Sequence, residues 1–220
     1  LAGKTIGTMT PTTANQVIPI LEAAGVDPST VTMIPVSDAR VQQLTEGNVD
    51  AVWTWDGEWQ QWLAQGTNIA YLSGETVYDS SSNSIIASTA LVEQYPELVE
   101  GFTRALAKGC YFCYLNPRAA ADIIINEWKS LMVDLDTAEK IIDTAINFMT
   151  GGKEVMESNT IGQHSEESWN LMMGDYVKMG IVQEAIPLEK CFTNQFVEAA
   201  NAWDRAEVQK DSEEYVFITQ

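Results

Sequence analysis

Apolar and polar positions follow two periods in the first third of the chain. Short apolar runs at Lys4 to Met9, Val31 to Val36, Asp50 to Trp55 and Asn68 to Leu72 read as buried strands. Between them lie amphipathic stretches at Thr13 to Ala24, Asp38 to Glu46 and Glu58 to Gln65, and each is followed by a glycine: Gly25, Gly47 and Gly66. A glycine just past the last periodic residue is the usual helix stop, because it adopts the left-handed conformation without a Cβ penalty. Strands alternating with helices predict an α/β unit with a parallel sheet covered on both faces. Pro19 falls inside the first helix and is expected to kink or shorten it.

Residues 76–84 are polar and turn-rich and lead to a short apolar run, Ile85 to Ser88, expected as a further strand. The pattern then becomes helical: Pro96 to Leu115 carries Leu98, Phe102, Leu106 and Phe112 at helical spacing. Asn116 with Pro117 starts a helix to Trp128, Asp136 with Glu139 one to Met149, Ser165 one to Gly180, and Thr193 one to Trp203. The acidic end, Asp211 to Gln220, either frays or packs elsewhere. The chain thus divides into an α/β part at 1–78, a connection and crossing strand at 79–88, and a mainly helical part at 89–220. The helical part has more apolar helix faces than its single expected strand can cover.

Composition narrows the function. Thirty-one acids against twelve Lys and Arg give a formal charge of -19, a field that repels phosphate backbones and anionic head groups, so nucleic acid is not an expected partner. No apolar run reaches the roughly 18 residues of a membrane span. A chain beginning at Leu1 is expected to be processed or cropped from a longer product. Cys110, Cys113 and Cys191 read as buried free thiols, with a bridge from Cys191 as the other reading. His164 is the only histidine, with no Ser-His-Asp order and no Gly-rich phosphate loop, so a binder rather than an enzyme is expected, with no cofactor and no metal.

The chemistry concentrates where strands hand over to helices, since ligands of open α/β sheets bind outside the carboxyl ends of the strands. Three such turns converge on one edge. Thr10, Thr12 and Thr13 follow the first strand, and Thr13 with Gln16 forms a capping-box pattern that frees N–H groups for an electron-rich ligand. Ser37 and Asp38 follow the second strand. Trp55, Asp56 and Trp59 follow the third; an indole there can stack on a flat heterocycle, and Asp56 can accept hydrogen bonds from an aminopyrimidine. Trp53 and Trp62 are expected in the core, and Trp59 fits either role.

The blocks Leu1-Ala-Gly-Lys-Thr-Ile-Gly7, Asn48-Val-Asp-Ala51 leading to Trp55-Asp56, Tyr95-Pro-Glu-Leu-Val-Glu-Gly-Phe-Thr-Arg-Ala-Leu-Ala-Lys-Gly109 and Asn116-Pro-Arg-Ala-Ala-Ala121 resemble the substrate-binding proteins of ABC importers for nitrate, sulfonates, taurine and thiamine-pyrimidine precursors. Ile161-Gly-Gln-His-Ser-Glu-Glu-Ser-Trp169 and Phe192-Thr-Asn-Gln-Phe196 look most like the pyrimidine-precursor branch. The resemblance implies a type 2 periplasmic binding fold in which 1–78 is the second lobe and the remainder is the returning part of the first. It implies a small solute held in an interlobe cleft, an ABC transporter permease as partner, and a periplasmic or membrane-anchored extracellular location. It also implies cleft-facing turns at the residues just named, with Ser82 and Asn83 near the hinge. An aminopyrimidine is the favoured ligand, with sulfonate, taurine or nitrate next. A ligand-sensing domain and a pyrimidine-precursor synthesis enzyme of the same fold are the alternatives. The family would begin with about 90 further residues that build the first lobe's sheet. Self-association of a chain without them is an expectation.

Overall fold

The computed structural model describes residues 1–72, 74, 77–80, 83–129, 133–149 and 151–219, and of residues 56, 148 and 149 the backbone alone. In chain order it runs β1 (Thr5–Thr8), α1 (Pro11–Ala23), β2 (Thr32–Pro35), α2 (Arg40–Thr45), β3 (Ala51–Val52) and α3 (Asp56–Ala64). Then come α4 (Thr89–Gln94), α5 (Pro96–Leu115), α6 (Pro117–Glu127), α7 (Leu135–Met149), α8 (Gly152–Met156), α9 (Glu166–Lys178), α10 (Val197–Asn201) and α11 (Arg205–Glu213). The chain forms two compact units, Leu1–Ser80 with Glu166–Ile186, and Ser81–Ser165 with Pro187–Gln220.

In the first unit the strands are parallel in the order β2-β1-β3, with Ile6 opposite Met33 and Ala51, and Gly7 opposite Ile34 and Val52. Ile6, Val17, Leu21 and Val31 make the core, with Val26, Met33, Ala51 and Trp53 packed against them. Gly7, at the centre of the middle strand, has no room for a side chain: a Cβ there would stand 2.8 Å from Val36 Cγ2 and 3.3 Å from Val52 Cγ1. The three glycine stops act as the pattern predicts. Gly25, Gly47 and Gly66 have φ of 71°, 75° and 83°. Each is followed by an amide that returns to the helix (Val26 N to Leu21 O, Asn48 N to Gln43 O, Thr67 N to Trp62 O), closing a Schellman turn. Helix α9 joins this unit through a Lys178 to Glu22 ion pair and a hydrogen bond from the Tyr78 hydroxyl to Asp175. Burial and the Asp175 carboxylate push the Tyr78 hydroxyl up to about 12.

Several expectations are corrected. Helix α1 starts at Pro11, whose fixed φ suits the first helical position. Its cap is therefore Thr10 with Thr13, not Thr13 with Gln16. The helix also continues through the buried Pro19 to Ala23. Asn68 to Leu72 carries no strand: Tyr71 stacks on Trp59 with ring centroids 4.9 Å apart, and Leu72 faces solvent. Ile85 to Ser88 is no strand either. Ile86 is 93% exposed, and Ser88 caps α4, its Oγ accepting from the Leu91 amide at 3.2 Å.

The second unit is helical. Ala107, Tyr111, Ile146, Met156, Ile161 and Val208 form its core. Arg205 lies over the Tyr111 and Trp203 rings and donates to the carbonyls of Met156 and Ser158. The acidic end packs rather than fraying. The carboxylate of Asp122, itself fully buried, accepts from the Tyr215 hydroxyl at 2.8 Å and from the amides of Ile218 and Thr219 at 2.6 and 2.9 Å. Burial pushes that carboxyl up, but the hydrogen bonds from Thr219, the Ile218 amide and Tyr215 outweigh it and bring it to about 2. All three cysteines are free thiols, and burial raises Cys110 and Cys113. The described residues hold no helix long and apolar enough to cross a membrane.

Candidate functional site

Because β1, β2 and β3 are parallel, the turns that follow them open at one edge of the sheet. After β1, Thr8 is buried and its hydroxyl donates to the Thr10 carbonyl at 3.1 Å, fixing the start of the turn. Thr10 and Thr13 exchange a capping box: the Thr13 amide donates to Thr10 Oγ1 at 3.1 Å and the Thr10 amide to Thr13 Oγ1 at 2.9 Å. Both hydroxyls are thus engaged in closing the helix end. Thr12 is exposed beside them.

After β2 the chain makes a short turn of 3₁₀ helix at Ser37–Ala39, with Ser37 and Asp38 exposed. Ser37 has φ of 47°, the one positive φ outside glycine among the described residues. A non-glycine residue held there is strained, and strain of this kind collects at functional edges. The turn delivers Arg40 to the first position of α2 and turns it inward, where it is 1% exposed.

After β3, Trp53 joins the core side and its Nε1 donates to Gln16 Oε1 at 3.3 Å. Trp55 is the last extended residue before α3 and is 55% exposed. The Arg40 guanidinium lies under its indole, 5.0 Å from the ring centroid. Arg40 Nη2 donates to both oxygens of Glu58, at 2.8 and 2.7 Å, and the Thr54 hydroxyl donates to Glu58 Oε2. One turn of α3 therefore holds a buried cation in place beneath an open aromatic face. Trp62 is buried, while Trp59 is half-buried against Tyr71.

The structure thus brings Thr10, Thr12, Thr13, Ser37, Asp38, Trp55 and Trp59 into one unit, at or next to the carboxyl ends of its strands. Asn83 belongs to the other unit and is exposed. The Asp56 side chain and Ser82 lie outside the described residues; the Asp56 backbone begins α3. The residue that sequence reasoning missed is Arg40. Its signal was present: Arg40 is the only Lys or Arg between Lys4 and Arg104 in a strongly acidic chain.

The chain is 25% identical over 179 residues to the riboflavin-binding protein RibY of Chloroflexus aurantiacus, a match covering 80% of this chain and 50% of that protein. The chain spans about half the length of the curated relative it matches. Residues 1–120, which include the three strands and every turn of the edge just described, match the family model described as NMT1/THI5 like, and the chain belongs to the NMT1/THI5-like family.

Proposed function

We propose that this chain binds a small solute carrying a flat nitrogen heterocycle, with Trp55 as the stacking surface. The observation that carries this reading is the half-exposed Trp55 indole, lying over the buried Arg40 and its Glu58 partner at the carboxyl edge of a parallel sheet. An aromatic ring left open in this position is placed to stack on a flat ligand. The aminopyrimidine favoured by the sequence and the flavin in the relative's name both belong to this ligand class. A sulfonate or nitrate would need the α1 start, where the Thr10 and Thr13 hydroxyls are already engaged.

In the same reading the fold is that of a type 2 periplasmic binding protein, and the partner is the permease of an ABC importer on the outer side of the membrane. Ligand then acts by stabilising one conformation through its differential affinity. Isothermal titration with aminopyrimidine and flavin-type rings tests it. Saturable binding is expected, with a loss of about tenfold or more in Trp55→Ala, in keeping with the anchoring role of buried aromatic residues. Binding unchanged by Trp55→Ala would refute the assignment of the site.

A further inference from the structure

We propose that Arg40 reads the ligand through the donors it leaves unpaired, so that the bound ring presents carbonyl oxygens rather than amino groups. The proposal rests on the solute-binding reading above and concerns the hydrogen-bonding polarity of the same site.

Arg40 is 1% exposed, yet only Nη2 is hydrogen-bonded; Nε and Nη1 are buried with no partner among the described residues. Trp59 Nε1, on the next residue of α3 after Glu58, is a third buried donor in the same condition. Buried polar groups without partners are rare, because each forfeits its hydration and recovers nothing. All three are N–H donors. The nearby acceptor, the Glu58 carboxylate, is already occupied by Nη2 and by the Thr54 hydroxyl. Among the described residues the site has buried donors without acceptors, so a ligand that supplies acceptors satisfies it best.

Charge decides which acceptors. Glu58 already balances the Arg40 cation, and the chain carries a net charge of -19. A carboxylate or phosphate would add an uncompensated negative charge beside Glu58, whereas a neutral carbonyl satisfies an N–H without that cost. The cover over the Arg40 guanidinium is Trp55, half open to solvent and the last extended residue before α3. Binding in this mode requires the indole to turn aside about its side-chain bonds as the ring enters, which opens the edge of the guanidinium and keeps the indole as a face for the ring.

The test is calorimetric titration of the 220-residue chain with two pteridines of one shape: dimethyllumazine, with two ring carbonyls, and its diamino analogue, in which amino groups replace both. The dione is expected to bind at least about tenfold more tightly, because the diamino ring leaves the buried donors unpaired. Arg40→Lys, which keeps the charge beside Glu58 and loses the planar fork, is expected to abolish that preference. Equal or tighter binding of the diamino ring, or a preference that survives Arg40→Lys, would overturn the inference while leaving the solute-binding reading intact. Binding of neither ring would overturn both. Should Arg40→Lys fail to fold, the ligand pair on the unaltered chain still decides the matter.

Discussion

Replacing Gly7 with alanine sets two effects of known sign against each other at the centre of the sheet that carries the proposed site. A glycine within a strand costs about 0.5–1 kcal/mol relative to alanine in chain entropy, so the substitution starts with a gain of that size. Against it stands a Cβ placed 2.8 Å from Val36 Cγ2 and 3.3 Å from Val52 Cγ1, well inside the contact distance of about 3.5–4.0 Å at which carbon atoms attract. Valine is stiff about χ1, so neither neighbour can swing clear and the backbone must give. Overpacking of this kind costs about 1–3 kcal/mol. The net expectation is a loss of about 0.5–2 kcal/mol, which in a chain of this size lowers Tm by about 2–4 °C per kcal/mol. Urea unfolding should show a lower midpoint at an unchanged slope. Val36→Ala should relieve the overlap, so the double variant loses less than the sum of the two single losses. A Gly7→Ala protein as stable as the parent, or more so, would refute the packing account of the middle strand.

Two further outcomes follow from buried charge. Glu58→Gln leaves the Arg40 cation buried without its counter-ion and should cost about 3–5 kcal/mol in urea unfolding, whereas replacing Arg40 and Glu58 together by methionine should cost much less; equal losses would contradict this. The Asp122 carboxyl lies at about 2, below its ordinary 3.8, so the unfolded chain binds the extra proton across that interval. Its contribution is complete above about pH 4 and is lost as pH falls toward 2. Asp122→Asn should flatten this limb of a Tm-against-pH curve and expose the segment Tyr215 to Thr219 to proteolysis. An unchanged limb would show that the tail is held by other means.

The parts of this fold that could be read from sequence are those whose cause is local. Gly25, Gly47 and Gly66 end their helices by their own backbone freedom, and three converging turns follow from strands and helices in alternation. The start of α1 was misplaced because two threonine caps compete in one segment, and the proline at position 11 decides between them. Asn68 to Leu72 has a strand's composition, but whether Tyr71 pairs in a sheet or stacks on Trp59 is a tertiary choice. The same holds for Asp122, which lies more than 90 residues from the tail it binds. Arg40 fell between these cases. Its isolation in an acidic chain was visible, but its burial is set by Glu58, eighteen positions away.

The first unit is built from two separated stretches of chain, and that bears on how it is made. Synthesis delivers Tyr78 and Glu22 long before their partners Asp175 and Lys178, with the whole of 81–165 emerging in between. At about 5–20 residues per second the sheet edge waits several seconds for its last helix. During that interval the first unit still lacks α9 while the helices of 81–165 emerge. The second unit, whose core takes Val208 from the last stretch of chain, closes later still, so its early helices must wait for α10 and α11 after the first unit has received its last helix.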